Sequence, residues 1–415
     1  MKVLFVTPQP PVPARKGTAL RNAALIQHAA RHHEVQVLSL LAPGERLHPE
    51  AAATLGAPVT GVPVPPRSRR QRLRDLVTRP LPDLALRLRS PSAQECFGAL
   101  LRQFRPEVVQ FEAVEAAGAV GPLGAAFRAA GRRPRLIYDA HNAEFALQRR
   151  LAQAEFRQPL RWPLALYSLL QWQRLSRWEA GLCRAATAVI AVSADDAADL
   201  ERLAGVRPTI IPNGVDSERY RPAAEGPPLD PTAPTLLFLG ALNYRPNIEA
   251  VTWFTRAVLP LVRKEFPGAH LVIAGHAPAP AVWKLASPYV RVLGSVEDDL
   301  PLLHQASICV VPLRSGGGMR FKVVQAMAAG VPVVTTLFGA AGIAARQGEH
   351  LLYAETPAAF CEAIRRTLCD PTATRARLAR ARALVVARYD WRSILPALTA
   401  LYARLAETPA PVAPR

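Results

Sequence analysis

The sequence predicts an α/β protein built as two halves, each a parallel sheet covered by helices. Three observations predict it. Short apolar runs recur along the chain and alternate with longer helical stretches, the pattern of parallel strands joined by crossovers. A segment with five prolines and little apolar content, Pro222 to Pro234, interrupts that alternation once. The length, 415 residues, favours two or three domains.

The first half opens on Val3–Thr7, an apolar run that reads as a central strand. A Pro-rich loop, Pro8 to Pro13, leads to Arg15-Lys16-Gly17-Thr18, and Gly17 or Thr18 can start a helix over Ala19–His32. Strand-like alternation resumes over His33–Leu38. Further strands are expected at Val108–Phe111, Leu136–Tyr138, Ala188–Val192 and Thr209–Ile211. The second half starts at Thr235–Gly240 and continues with strands at His270–Ala274, Val290–Leu293, Ile308–Pro312 and Val331–Thr335. Helices are expected at Asn247–Glu265, Leu300–Ala306, Phe321–Ala329 and Pro357–Leu368, with an amphipathic one near Ser393–Ala406. Two such halves make a cleft, and ligands of open α/β sheets sit beyond the carboxyl ends of the strands.

Half of the residues are apolar and 20% charged, which excludes wholesale disorder. The net charge of +19 raises the question of nucleic acid. Only five of the 51 basic residues are lysine (Lys2, Lys16, Lys264, Lys284 and Lys322), an arginine bias that looks more like codon composition than a binding code. No recognition element or aromatic platform accompanies the charge, so a nucleic-acid partner is not expected. The charge is uneven: residues 1–215 hold 29 basic against 17 acidic side chains. The first half is therefore the better candidate for meeting an acidic surface.

Five dispersed cysteines form no C-x-x-C pair, which argues against a disulfide framework or a structural zinc and fits a reducing, cytoplasmic setting. No signal peptide is expected, because the run at Val3–Val6 is short and meets prolines. Val323–Ala345 lacks charge for 23 residues, but Gly330, Pro332, Gly339 and Gly342 read it as buried helix, turn, strand and loop.

The chemistry concentrates in one loop. A dinucleotide Gly-x-Gly-x-x-Gly turn is missing after the first strand, and a Walker-type loop is missing altogether. No Asp-x-Asp stands ready to chelate a metal, so no metal is expected. Ser315-Gly316-Gly317-Gly318-Met319-Arg320-Phe321-Lys322 joins an expected strand to an expected helix. Glycines let backbone amides approach a ligand, and a helix N-terminus directs positive charge at it. Arg320 and Lys322 add two cations in that first turn, where a helix ordinarily prefers acids. An anionic ligand would complete such a site; a solvated surface turn is the plain alternative.

These residues carry a resemblance. Gly316–Thr336 is similar to the nucleotide-sugar motif of retaining glycosyltransferases of family 4 with the GT-B fold, in the subgroup with Gly-Gly-Gly-x-Arg-x-Lys. Ile211–Asp216, Leu237–Asn247, Tyr138–Glu144 and the first 40 residues resemble other segments of that family, in the same order. The resemblance implies a GT-B fold, two Rossmann-like domains with parallel sheets facing a central cleft. Residues 1–215 would be the acceptor domain, 216–234 a linker, and 235–390 the donor domain. The helix 391–407 would pack back toward the first domain, and 408–415 would be a frayed tail.

It also implies a donor site in which Arg320 and Lys322 hold a diphosphate, assisted by Gly317 and Gly318. Val296 would contact the base through its backbone, and Gln325 the ribose. Gly17 and His141 would face phosphate and sugar from the first domain, with Arg245 and Asn247 as further phosphate or acceptor contacts. Asn142 and Glu112 are acceptor-side candidates. Glu112 and its neighbour Glu115 read equally well as exposed glutamates at a helix start, His141 alone as a strand-end histidine, and Asp139 as a turn cap.

The family usually has glutamates where this chain has Gly317 and Gln325, which keeps open a binding-only partner subunit beside an active retaining transferase. No cofactor is expected besides a nucleotide-diphosphate sugar as co-substrate. A glycan or lipid-linked acceptor is expected, in exopolysaccharide or cell-envelope glycan synthesis. Eight arginines interleaved with leucines over Arg67–Arg89, and the stretch from Trp162 to Trp172, would suit an anionic membrane surface at the cytoplasmic leaflet. A solvated arginine face on ordinary helices explains them equally well.

Overall fold

A computed structural model describes residues 1–14, 17–156, 162–316 and 320–407. The chain divides into two compact units, residues 1–211 with 395–415, and residues 212–394. The Pro-rich segment 222–234 belongs to the second unit. The last helix, Trp391–Glu407, begins in the second unit and continues in the first from Leu395 on. The frayed tail expected at 408–415 lies outside the described residues.

The first unit holds seven parallel strands: β1 (Lys2–Thr7), β2 (Glu34–Leu41), β3 (Val59–Pro63), β4 (Val108–Glu112), β5 (Arg135–Ala140), β6 (Ala188–Ala191) and β7 (Thr209–Ile210). Their order is β3-β2-β1-β4-β5-β6-β7. β1 is central because its run Val3–Val6 is wholly buried, as a strand covered on both faces must be. The helix Gly17–Ala30 starts two residues earlier than Ala19.

The second unit holds β8 (Thr235–Leu239), β9 (His270–Ala274), β10 (Val290–Gly294), β11 (Ile308–Val311), β12 (Val333–Thr335) and β13 (Leu352–Tyr353). They are also parallel, in the order β10-β9-β8-β11-β12-β13. Both sheets thus have the strand order of a doubly wound nucleotide-binding fold, with a reversal of winding beside the central strand.

The helix expected over 247–265 is three pieces. Arg245–Trp253 is α-helical, Phe254–Val258 widens into a π-type turn, and Leu259–Glu265 resumes. Pro260 has no N–H to give the ladder, so the turn before it opens. The charge-free stretch forms the helix Phe321–Ala328, a turn at Gly330 with φ of 70°, and β12. Among the described residues no helix is long and apolar enough to cross a membrane.

Candidate functional site

In the second unit the carboxyl ends of β8, β9 and β11 converge. Gly275, after β9, packs so tightly on Gly240, after β8, that a Cβ on it would lie 1.7 Å from the Gly240 carbonyl oxygen. A Cβ on Gly240 would lie 2.7 Å from Lys322 Nζ, so glycine there leaves the space that the ammonium occupies. Lys322 sits in the first turn of Phe321–Ala328, and Arg320 is the residue that starts that helix. Lys322 Nζ donates to Asn247 Oδ1 at 3.0 Å and lies 4.3 Å from the centre of the Phe238 ring. Asn247 is itself oriented by donating to the Ala241 carbonyl at 2.9 Å. Among the described residues no carboxylate pairs with Lys322. Burial accordingly pushes its pKa down from the ordinary lysine value to about 7; the Cys309 thiol opposes this and the Arg320 charge adds to it. The Arg320 guanidinium is buried, 5.1 Å over the Phe338 ring.

Gln325, one turn on from Lys322, is buried and donates from Nε2 to the Tyr220 hydroxyl at 2.8 Å. Tyr220 in turn donates to Asp299 Oδ1 at 2.7 Å. Val296 follows β10 and packs partly buried against the core of this unit.

In the first unit the ends of β4 and β5 bring Glu112, Asp139 and His141 together. His141 Nε2 lies 3.0 Å from Glu112 Oε2. The ligand-capable atoms of these three side chains lie within 4.8 Å of one another. Arg21, from the helix Gly17–Ala30, engages both Asp139 oxygens at 2.9 Å, so a guanidinium already neutralises the group a cation would need. Arg21 also donates to the Ile211 carbonyl at 2.9 Å. Next to His141, the Asn142 amide donates to Glu144 Oε1 at 2.7 Å. Burial, reinforced by Glu115, pushes the Glu144 carboxyl up to about 8. Burial likewise takes Glu179 to about 7, although backbone amides of Phe145 and Glu144 and the Tyr138 hydroxyl donate to it.

Residues 16–219 match the model of Glycosyltransferase Family 4, and residues 233–370 match that of Glycosyl transferases group 1. The chain belongs to the family 4 glycosyltransferases. A glycogen synthase of Mycobacterium tuberculosis is 29% identical over 238 residues, 54% of this chain and 56% of its own. A phosphatidyl-myo-inositol mannosyltransferase of Propionibacterium freudenreichii is 31% identical over 229 residues, 52% and 55% of the two chains. The chain thus spans about half the length of the curated relatives it matches. Among solved structures, sucrose-phosphate synthase of Thermosynechococcus elongatus superposes with a TM-score of 0.71 at 17% identity, covering 98% of this chain and 99% of that one. HepE of Anabaena, solved with UDP and glucose, superposes with a TM-score of 0.67 at 15% identity, covering 97% and 99%. The fold of this family 4 glycosyltransferase is GT-B.

The other expected site residues differ in their surroundings. Arg245 is half exposed and its Nε donates to Glu249 of the same helix at 2.7 Å. Glu112 is wholly buried, so the reading of an exposed glutamate at a helix start does not hold; Gln110 donates to its Oε1 and His141 lies against its Oε2. Gly17 opens its helix as expected for a glycine loop, whereas Gly317 and Gly318 lie outside the described residues. Sequence reasoning missed Gly240, Tyr220, Asp299 and Arg21. Gly240 was visible as the glycine ending a strand; the other three carry no local signal, since their partners lie 79 or more positions away in sequence and are near only in space.

The Gln325–Tyr220–Asp299 chain makes a prediction of its own. Gln325→Glu restores the family's usual residue yet should not help. The Tyr220 hydroxyl has one proton, already given to Asp299, and a second carboxylate on its oxygen would find no donor. Leaving a buried group so opposed costs about 1–3 kcal/mol. The variant should melt several degrees lower by differential scanning fluorimetry, and adding Asp299→Asn should recover the loss. A melting temperature at or above wild type for the single variant would contradict this hydrogen-bond direction.

Proposed function

We propose that this protein is a retaining glycosyltransferase that moves a sugar from a nucleoside-diphosphate sugar to a glycan or lipid-linked acceptor, without a metal, in exopolysaccharide or cell-envelope glycan synthesis. The observation that supports it most is Lys322, a partly buried side chain whose ammonium has a neutral amide as its hydrogen-bond partner and no paired carboxylate among the described residues. Burying such a charge is unfavourable unless something pairs with it. A diphosphate at the carboxyl edge of the second sheet, against the helix N-terminus and Arg320, would supply that pairing. Breaking the sugar–diphosphate bond puts negative charge on the leaving phosphate and positive charge on the anomeric carbon. Lys322 and Arg320 stabilise the first in a water-poor site, the kind of preorganised contact that is usually the largest catalytic contribution. The leaving phosphate then assists deprotonation of the acceptor on the same face, and His141 orients the sugar. Gln325 and the backbone at Val296 hold the nucleoside.

A binding-only reading is favoured by Gln325 alone, since an amide holds ribose hydroxyls less firmly than a carboxylate. Hydrolysis of UDP-, GDP- or ADP-glucose by the purified protein separates the two. Release of nucleoside diphosphate that depends on Lys322 supports the transferase; binding of the same nucleotides with no turnover supports the partner subunit.

The acceptor reading extends to the membrane face. The helix Arg69–Thr78 shows Leu73 and Val77 to solvent, 65% and 78% exposed, between its arginines. Trp162 and Leu166, on the helix Trp162–Ala185, are exposed as well. Leu86 and Leu88 by contrast are buried, so the leucines of residues 67–89 divide between core and surface. Arg67 is committed to Asp75 and Asp83, and Arg79 to Asp75. The remaining basic and apolar side chains form a surface suited to the anionic inner leaflet. Flotation with liposomes is expected to recover the protein when they contain anionic lipid and to lose it at high salt. No dependence on anionic lipid would reduce the patch to ordinary surface.

A further inference from the structure

His141 has one hydrogen-bond partner among the described residues. Its Nε2 is 3.0 Å from Glu112 Oε2, and its Nδ1 makes no hydrogen bond there. The side chain is 10% exposed, so the ring is neither free to turn nor wholly sealed. Glu112 is 0% exposed at the end of β4. Its Oε1 accepts from Gln110 Nε2 at 2.8 Å, and Gln110 Oε1 accepts from the Tyr402 hydroxyl at 2.7 Å. The Asn22 amide, in the orientation that satisfies both of its ends, donates to Glu112 Oε2 at 2.9 Å and to the Thr18 carbonyl at 3.1 Å. Directly after Glu112, Ala113 has φ of 69°, a strained turn that takes the chain abruptly out of the strand.

Around the carboxylate, Gln110 and Asn22 are donors. Burial and the nearby Asp139 raise the Glu112 pKa, but these two amides offer no acceptor to a proton placed on it. A carboxylate can only accept, and a neutral imidazole carries one hydrogen. With Glu112 ionised and His141 neutral, the hydrogen of His141 sits on Nε2, which leaves Nδ1 as an acceptor; a proton on Glu112 Oε2 would reverse the two.

We propose that Glu112, held by the Tyr402–Gln110 relay and by Asn22, is a positioning residue that fixes His141 as the Nε2–H tautomer and presents Nδ1 to a hydroxyl of the bound sugar or acceptor. The catalytic half of this statement rests on the transferase reading; the tautomer does not. Partners that orient a metal-bound histidine typically change its function by about 10- to 100-fold, and a loss on the same scale is expected here.

The test uses the full chain with ¹⁵N-labelled histidine, His141→Gln to assign the resonance, and no substrate. Long-range ¹H–¹⁵N correlation is expected to show His141 protonated on Nε2 and bare on Nδ1. Glu112→Gln turns one accepting oxygen into an NH2 that opposes a donor. It should populate the Nδ1–H tautomer and lower kcat for hydrolysis of UDP-, GDP- or ADP-glucose, whichever the wild type turns over, by about 10- to 100-fold with KM nearly unchanged. Tyr402→Phe removes only the far end of the relay and should shift both readouts the same way by less. If Glu112→Gln does not fold, Tyr402→Phe decides. A wild-type His141 protonated on Nδ1, or variants with the wild-type tautomer and kcat, would overturn the proposal. A wild type inert toward all three sugars counts against the transferase and leaves the tautomer result to judge Glu112.

Discussion

Lys322→Met is expected to lower nucleotide-sugar turnover by about 100- to 1000-fold, the loss seen when one preorganised donor to a developing oxyanion is removed. The same substitution should raise the melting temperature of the ligand-free protein. The two effects have one cause. In the folded protein burial holds the Lys322 pKa at about 7, well below the 10.5 of an ordinary lysine. A base whose folded pKa is depressed binds its proton less well folded than unfolded, so its burial penalty is complete below pH 7 and fades as pH rises toward the unfolded value. Methionine keeps the apolar stem against Phe238 and removes the ammonium. The gain in stability should therefore be largest below pH 7 and shrink above it. Such opposition of stability and turnover is expected where a side chain is kept for a ligand. A variant that loses turnover and also melts lower would indicate a structural lysine instead.

Nucleoside diphosphate binding should be coupled to proton uptake. Near pH 8 most of the wild-type protein carries neutral Lys322, given a pKa of about 7. A bound diphosphate favours the charged form, so binding should draw close to one proton from the buffer, and affinity should fall about tenfold per pH unit above 7. Calorimetric titration of UDP in buffers of different ionisation enthalpy measures the uptake directly. Lys322→Met should remove both the uptake and this pH slope. Proton release, or an uptake that survives in Lys322→Met, would assign the titration to another group.

What the sequence made legible was local. β1, β8 and β9 are unbroken apolar runs, and each is a strand where the run predicts one. β3 was missed because Val59–Pro63 carries a glycine and a proline, and β13 because two residues make no pattern. The pairing of Arg320 and Lys322 with a helix start was legible because glycines, cations and an apolar helix lie consecutively. The partners were not. Asn247 reaches Lys322 across 75 positions, Tyr220 reaches Gln325 across 105, and Tyr402 reaches Gln110 across 292. Glu112 and Glu115 look alike in sequence, three apart after a strand. Only the turn at Ala113 sends one beneath His141 and leaves the other beside Arg87.

The central claim is that Lys322 and Arg320 seat the diphosphate of a nucleotide sugar, and thermal-shift titration of wild type and Lys322→Met with UDP-, GDP- and ADP-glucose tests it most directly. At 100 times its dissociation constant the right donor should stabilise the wild type by about 2.7 kcal/mol and the variant far less. No shift with any of the three, or an equal shift in both proteins, would contradict the claim.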